Sequence, residues 1–237
     1  MGKIASFCLS LAFASSAVGA PVQWTAASGG NDHWYEFIFL QTGINFANAF
    51  AAATGSSFMG LPGYLATVTS QHEQDFLINQ AIYPAGATGI EVDDSNITYQ
   101  TVSVATYGAL AWLGGAETST EGTYQWINGP EAGLVFWTGG LNGSAPAGVY
   151  ANFFSGFEPN NAFPTESRVD MRGDSLGRWN DATPDAQSGR LPSNVTSNGF
   201  RVRAPIGYLV EYSIPEPATL ALLGVGLASL GFSRRKQ

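Results

Sequence analysis

The chain has 237 residues, of which 18 are acidic and 10 are basic, so its net charge at pH 7 is −8. An acidic surface disfavours nucleic acids and anionic membranes as partners and suits a cation or a neutral ligand, although solubility alone also explains such a charge. The one cysteine, Cys8, lies near the N-terminus, so the rest of the chain contains neither a disulfide nor a thiol nucleophile.

Residues 1–20 have the layout of a secretory signal peptide. A lysine precedes the apolar stretch Phe7–Phe13, and small residues follow it. This stretch is shorter than the roughly 20 residues that span a bilayer. We therefore predict export, with cleavage after Ala17 preferred to cleavage after Ala20, because Pro21 is unfavourable directly after a cleavage site.

The central segment, residues 21–214, predicts one domain of the α+β class. Two helices are expected early, one at Ile44–Thr54 with Gly55 as its stop and one at Ser70–Ala81 with a capping box between Ser70 and Glu73. Alternating or aromatic-rich runs predict five strands: His33–Leu40, Tyr64–Thr67, Leu110–Gly114, Tyr124–Ile127 and Tyr208–Tyr212. The expected fold has two helices packed on small antiparallel sheets, with long glycine-rich loops.

Six short motifs also occur in a fixed order along the chain. They are Tyr64–Thr67 leading into the capped helix, Trp112–Gly115, Trp126–Gly129, Glu158–Asn160, Trp179–Asp181 and Tyr208–Glu211. Each motif alone is weakly specific, but their order over Trp34–Tyr212 resembles that of C-type lectin domains. The resemblance implies a C-type lectin-like fold. Residues 84–107 and 139–150 would be insertions in it, and the disulfides usual in that family are absent from this sequence.

Five side chains late in this pattern supply carboxylate and amide oxygens: Glu158, Asn160, Glu166, Asn180 and Asp181. Calcium takes 6–8 oxygen ligands, and this set with the backbone carbonyl of Asp181 supplies roughly six. The sequence therefore predicts a calcium site with about two open positions, which vicinal sugar hydroxyls can fill. A cis peptide bond between Glu158 and Pro159 would turn the side chains of Glu158 and Asn160 to the same side.

The C-type lectin resemblance adds two expectations about this site. The triplet Glu158-Pro159-Asn160 goes with mannose-type sugars in that family, and Glu166 lies where the bridging carboxylate of the family usually lies. Glu158, Asn160, Glu166 and Asn180 are thus the candidate carbohydrate-binding residues, and Ca²⁺ is the expected cofactor.

Other interpretations of the same residues remain open. Asparagine-rich stretches are common turn formers, and Arg168, Arg172 and Arg178 could pair with the carboxylates in place of a metal. A surface interaction or structural protein with the same fold and no metal is therefore the alternative function. An enzyme is disfavoured, because His33 and His72 are the only histidines and no Gly-x-Ser-x-Gly or phosphate-loop motif occurs.

The C-terminal segment, residues 215–237, mirrors the N-terminal one. Pro215-Glu216-Pro217 precedes the uncharged apolar run Ala218–Phe232 and a basic end, Arg234-Arg235-Lys236. The run is short for a membrane span, and a plain membrane anchor is one interpretation. The pattern resembles the PEP-CTERM sorting signal, which implies an exosortase as processing enzyme, transient membrane insertion through a C-terminal helix, and association with extracellular polysaccharide. Both interpretations predict an exported protein, at the cell surface or outside the cell.

Overall fold

The computed structural model describes residues 20–40, 43–82, 89–94, 97–103, 111–162, 166–172, 177–184 and 207–214. Apart from Ala20, the predicted signal peptide lies outside the described residues, and so does the predicted sorting segment. Within the described ranges, no helix has the length and apolar character needed to cross a bilayer.

The described residues contain two α-helices, α1 at Phe46–Thr54 and α2 at Gln71–Phe76, and a π-helical segment, Leu77–Ile82, continues α2. The strands in the same ranges are β1 (Val22–Gln23), β2 (Trp34–Phe39), β3 (Ser57–Phe58), β4 (Leu61–Leu65), β5 (Gly89–Asp94), β6 (Ile97–Ser103), β7 (Ala111–Glu117), β8 (Tyr124–Trp126), β9 (Val135–Trp137), β10 (Arg168–Met171), β11 (Trp179–Ala182) and β12 (Gly207–Tyr212).

Ten of these strands join in one mixed sheet, whose main order is β1-β2-β12-β7-β10-β11. Strand β12 lies inside the sheet, where it pairs antiparallel with β2 and β4 and parallel with β7. β8 and β9 extend the sheet from β7, and β5 pairs with β6 in a separate hairpin within the predicted insertion 84–107. The α+β prediction, with two helices and mostly antiparallel strands, is confirmed, and the strands join into one large sheet.

Local sequence signals account for the ends of both helices. The side chain of Asn45 accepts a helix amide at 2.9 Å, so α1 begins two residues later than predicted, and α1 ends at Gly55 as predicted. Ser70 Oγ accepts from Glu73 N at 3.1 Å, which confirms one half of the predicted capping box. The Glu73 carboxylate accepts from Thr69 N at 2.7 Å, so its partner is one residue earlier than predicted.

The two faces of the sheet carry separate apolar cores. Successive residues of a strand point to opposite faces, so Val210 packs in the core beside α1 and Leu209 in the core beside the π-helical extension of α2. Aromatic rings dominate the second core, where Trp179 is fully buried against Trp126 and Phe136, with ring centres 5.5 and 5.6 Å apart. This packing fixes the start of β11.

A buried group of polar side chains, the Glu73–Glu211 cluster, links α2 to the sheet. It consists of His33, Tyr35, Thr67, Glu73 and Glu211. Tyr35 Oη donates to Glu73 Oε1 at 2.5 Å. His33 Nδ1 lies 2.6 Å from Glu211 Oε1, and Thr67 N donates to Glu211 Oε2 at 3.1 Å. Both carboxylates are 1% exposed, so they depend on these donors to be tolerated in the interior.

The environment of this cluster raises two pKa values. Burial and the charge of Glu211 raise the pKa of Glu73 to about 7, although the hydrogen bond from Tyr35 lowers it in part. Burial acts to lower the pKa of His33, but its hydrogen bond to Glu211 and the nearby carboxylates raise it above its usual value. The folded protein therefore holds protons here at pH values at which the unfolded chain releases them.

Because both pKa values are raised by folding, the stability that these groups contribute is complete below their unfolded pKa values and is lost as the pH rises through the folded ones. We expect the free energy of unfolding to fall by roughly 1–3 kcal/mol between about pH 5 and about pH 8. Glu73→Gln should flatten this slope, whereas Asp75→Asn, at an exposed position on the same helix, should not. Urea denaturation across the pH range measures the slope, and an equal slope for wild type and Glu73→Gln would contradict the assignment.

Candidate functional site

The candidate site is built where β11 meets the segment that carries Glu158. The Glu158–Pro159 peptide bond is cis, as predicted. Just beyond it, Asn160 N and Asn161 N donate to the two carboxylate oxygens of Asp181, at 3.1 and 2.8 Å. The Asp181 side chain therefore holds the Glu-Pro-Asn segment against the strand.

Strand pairing brings a further carboxylate, Asp170, into the site. Asp170 on β10 lies opposite Asn180 on β11. Asn180 Nδ2 donates to Asp170 Oδ2 at 3.2 Å and to the backbone carbonyl of Asp181 at 2.6 Å. Asp170 was not among the residues predicted from the sequence. The signal that points to it is an acidic residue between two buried apolar residues, Val169 and Met171. A buried charge there destabilises the fold unless a partner or a ligand neutralises it.

The carboxylates of this site lie close enough to repel one another. Burial and the charge of Asp181 raise the pKa of Glu158 to about 8, and Arg172 lowers it in part. Burial likewise raises the pKa of Asp170 to about 8, and the charges of Asp181 and Glu166 add to the shift. One oxygen of each group, Glu158 Oε2 and Asp170 Oδ1, is buried without a hydrogen-bond partner. Such an oxygen favours a cation or a proton beside it.

The five predicted ligands differ in their surroundings. Glu158, Glu166 and Asp181 are buried carboxylates, and each is linked to this site by the contacts or charges given above. Asn160 is exposed, and its Oδ1 accepts from a backbone amide two residues later, at 2.7 Å. Asn180 directs its NH₂ group to acceptors within the protein. The roles of all five as metal or sugar ligands remain predictions.

Three arginines flank the carboxylates, and Arg172 is in contact with Glu158. Arg172 Nη1 lies 3.4 Å from Glu158 Oε1. Arg168 and Arg178 lie over the rings of two phenylalanines, with the guanidinium carbon 5.1 and 3.5 Å from the ring centres. The contact of Arg172 with Glu158 is an instance of the alternative anticipated from the sequence, an arginine in place of a metal.

The oxygen donors of the site fit calcium, but the described side chains are not grouped as a ready-made metal site. Its side chains offer oxygen atoms, which a hard cation requires, and two of those atoms lack a hydrogen-bond donor. Among the described residues, however, no three His, Cys, Asp or Glu side chains are arranged to hold a metal ion. Both Asp181 oxygens accept from backbone amides. Glu158 and Asp170 are therefore the groups with oxygen atoms available.

An exposed aromatic side chain directly precedes Glu158 in the chain. Phe157 is 61% exposed, although the next residue, Glu158, is buried. The ring of Phe157 packs against that of Phe154, with ring centres 4.6 Å apart. A rigid aromatic side chain supplies a large contact area at a low cost in conformational entropy, which suits a binding surface.

Comparison with known proteins gives matches at the tail and in the domain. Residues 213–236 match the family model of the PEP-CTERM protein-sorting motif, which confirms the sorting signal predicted from the sequence. Halomucin from Haloquadratum walsbyi is 31% identical over 190 residues, which cover 80% of this chain. The chain spans 2% of the length of that relative.

Solved structures of C-type lectins are among those to which this chain is similar. The C-type lectin CEL-I from Cucumaria echinata is 21% identical, with a TM-score of 0.45 and coverage of 78% of this chain and 91% of the other. An EPNH mutant of CEL-I is 22% identical, with a TM-score of 0.44 and coverage of 77% and 89%. A calcium-independent type II antifreeze protein is 14% identical, with a TM-score of 0.42 and coverage of 83% and 96%.

Asp181 should stabilise the fold without any metal, because its carboxylate accepts from two backbone amides and, at 3.2 Å, from Tyr124 Oη. Asp181→Ala leaves those donors unpaired, so in chelator we expect the free energy of unfolding to fall by roughly 2–3 kcal/mol. Glu158→Gln is the matched change: it removes a repelled carboxylate, and stability should stay level or rise. Urea denaturation of both variants in chelator measures the difference, and equal losses would show that Asp181 has no such role.

Proposed function

We propose that this chain is an exported surface or extracellular-matrix protein whose domain, residues 21–214, is a C-type lectin-like domain that binds carbohydrate with the help of calcium. The observation that carries the proposal is the group of buried carboxylates around Glu158 and Asp170, in which two oxygens have no hydrogen-bond donor. Leaving such groups unsatisfied destabilises a protein. A bound ligand that satisfies these oxygens would account for the arrangement. The proposed role of the site is therefore binding and not catalysis.

Calcium, when bound, would neutralise repelling charges and offer coordination positions to sugar hydroxyls. The proposed ligands are those predicted from the sequence: Glu158, Asn160, Glu166, Asn180 and Asp181. Asp170 adds a carboxylate beside them. Burial and the repulsion from Asp181 raise the pKa of Glu158, and a bound cation would offset that repulsion. Because a bound metal requires these groups without their protons, calcium affinity should rise with pH.

The side chains of Glu158 and Asn160 are proposed to bind neighbouring hydroxyls of a mannose-type sugar. A carboxylate accepts from a hydroxyl and an amide NH₂ group donates to one, so the pair matches both functions of a hydroxyl group. The exposed side chain of Phe157 supports this proposal, because an apolar residue then directly precedes Glu158 at the surface. A sugar ring likewise combines polar hydroxyls with apolar C–H faces.

The tail supports the cellular part of the proposal. The PEP-CTERM motif at residues 213–236 is a protein-sorting motif. We propose that the apolar run inserts transiently into the membrane, that an exosortase then processes the segment, and that extracellular polysaccharide is the class of partner. Nucleic acid is disfavoured as a partner because the chain has 18 acidic and 10 basic side chains.

A second function, a metal-independent surface interaction or structural protein, is favoured by a separate observation. Arg172 lies 3.4 Å from Glu158, and backbone amides satisfy Asp181. These contacts hold part of the site together without an ion. In this alternative, the carboxylates and arginines stabilise the loop region and do not bind an ion.

If calcium binds this site, adding it after chelation should raise the melting temperature. Binding to the folded state alone stabilises by about 2.7 kcal/mol at a hundredfold excess over the dissociation constant, and extracellular modules bind calcium at roughly 10⁻⁴–10⁻³ M. Glu158→Gln should melt at least as high as the wild type in chelator and lose the calcium effect, whereas the exposed Asp75→Asn should keep it. Equal melting temperatures of the wild type in chelator and in calcium would favour the metal-independent function.

If the site binds a glycan, Phe157→Ala should weaken mannose-type binding about tenfold through lost ring contact, with calcium affinity unchanged. Leu134→Ala is the control, because Leu134 is a partly exposed apolar side chain in the β8–β9 connection. A glycan array with and without chelator, followed by calorimetry on the best ligand, tests both variants. Binding that persists in chelator, or binding to no glycan, would refute the calcium-dependent lectin function.

A further inference from the structure

The hairpin between β3 and β4 has an unusual residue at its tip. The register pairs Ser57 with Pro62 and Phe58 with Leu61, so Met59 and Gly60 form a two-residue turn. Met59 has φ of 50° and Gly60 has φ of 82°. Glycine, asparagine and aspartate are the residues that favour this left-handed region, and a long side chain is uncommon there.

Met59 is also the most exposed of the large apolar side chains in the described residues, at 77%. The whole hairpin, residues 57–62, contains no charged side chain in a chain that is otherwise acidic. The left-handed backbone conformation and the solvent exposure both disfavour methionine at position 59. Met59 therefore does not stabilise the domain. The tip has the chemistry of a surface that meets an apolar partner.

The position of the hairpin indicates that partner. β4 runs antiparallel to β12 with Gly63 opposite Tyr212, so the hairpin tip and the C-terminal end of β12 lie at the same end of the sheet. The ring of Phe58 packs against that of Tyr212, with centres 5.8 Å apart. Ile214, where the described residues end, is itself 41% exposed. The tip is therefore beside the point from which the tail departs.

The tail sets how far the tip can be from a bilayer. The apolar run begins at Ala218, four residues after Ile214. Four residues reach at most about 14 Å even when fully extended. With the run inserted in a membrane, the end of β12 lies within about 14 Å of the hydrocarbon core, so the hairpin beside it can reach the lipid headgroups.

We propose that the Met59 hairpin is a lipid-contacting tip, which rests in the headgroup region of the bilayer while the C-terminal segment is inserted. This inference rests on the membrane step of the proposed function and is independent of calcium and sugar. The contact would orient the domain on the membrane before the tail is processed. An uncharged, exposed apolar tip avoids the repulsion that the acidic domain would meet at an anionic surface.

The chain offers a clean labelling experiment, because its only cysteine, Cys8, lies in the predicted signal peptide. The chain without residues 1–20, carrying Met59→Cys labelled with the environment-sensitive dye NBD, is reconstituted with its tail in vesicles of phosphatidylcholine and phosphatidylethanolamine. Ala47→Cys is the matched control. Ala47 is exposed in the first turn of α1, next to Phe46, which packs on Trp112 near the opposite end of β12.

In vesicles, we expect the dye at position 59 to shift to the blue and to be quenched by aqueous iodide about threefold less than the dye at position 47. Equal quenching at the two positions in chains that float with the vesicles would overturn the hairpin inference and leave the tail proposal standing. Chains that do not float with the vesicles would overturn both.

A second variant separates a lipid role from a structural one. Asparagine tolerates the left-handed region better than methionine does, so Met59→Asn should keep or raise the melting temperature in solution. A melting temperature lowered by several degrees would show that Met59 serves the fold and would also overturn the inference.

Discussion

The geometry of the candidate site depends on the packing of Trp179. Its ring is fully buried in the aromatic core, and its Nε1 donates to Gln74 Oε1 on α2 at 2.9 Å. Its backbone N donates to Asn152 O at 2.7 Å, and its backbone O accepts from Phe154 N at 3.1 Å. One residue thus ties the helix, β11 and the segment leading to the cis peptide bond together. Because Asp181 follows two positions later, the distance between the two halves of the site is set by the core.

Two clusters of buried carboxylates occur among the described residues, and they differ in their hydrogen bonding. In the Glu73–Glu211 cluster, hydroxyl, imidazole and backbone amide groups surround the two acids. Around Glu158 and Asp170, one oxygen of each acid has no donor. Unsatisfied buried groups are costly, so they persist mainly where a ligand or a reaction needs them. The first cluster explains how a domain without disulfides joins its helix to its sheet, and the second is the place where we propose that a ligand binds.

Strong local patterns made part of this fold predictable from the sequence. β2 and β12 are six residues long and rich in aromatic and β-branched side chains, and the Ser70 cap marks the start of α2. The strands β3 (two residues), β10 and β11 (four residues each) are too short to show an alternation of apolar and polar residues. β3 pairs with the next strand, β4, across a two-residue turn. β10 pairs with β7, which is distant in sequence, so the register of β10 follows from the tertiary structure.

The same distinction applies to the site. The cis bond at Glu158–Pro159 could be predicted from the residue types and from the order of the motifs. The acidic residue between Val169 and Met171 is a signal for Asp170, but its place beside Asn180 depends on the register of β10 against β11 and could not be predicted. Nor could the sequence show that backbone amides would occupy both oxygens of Asp181. Hydrogen bonds between a side chain and a distant backbone leave no pattern in the sequence.

The two proposed functions differ in which cation neutralises Glu158. Arg172 supplies a single contact of 3.4 Å from a partly exposed guanidinium, and the same guanidinium lies over the ring of Phe154 at 5.4 Å. A long, partly exposed ion pair contributes little to stability, on the order of 1 kcal/mol or less. Arg172 can therefore leave Glu158 at small cost and keep its contact with the aromatic ring. In the proposed calcium-dependent function, a doubly charged ion that also reached the unpaired oxygen of Asp170 would replace the weak contact of Arg172 with two stronger ones, so exchange would favour calcium where calcium is abundant.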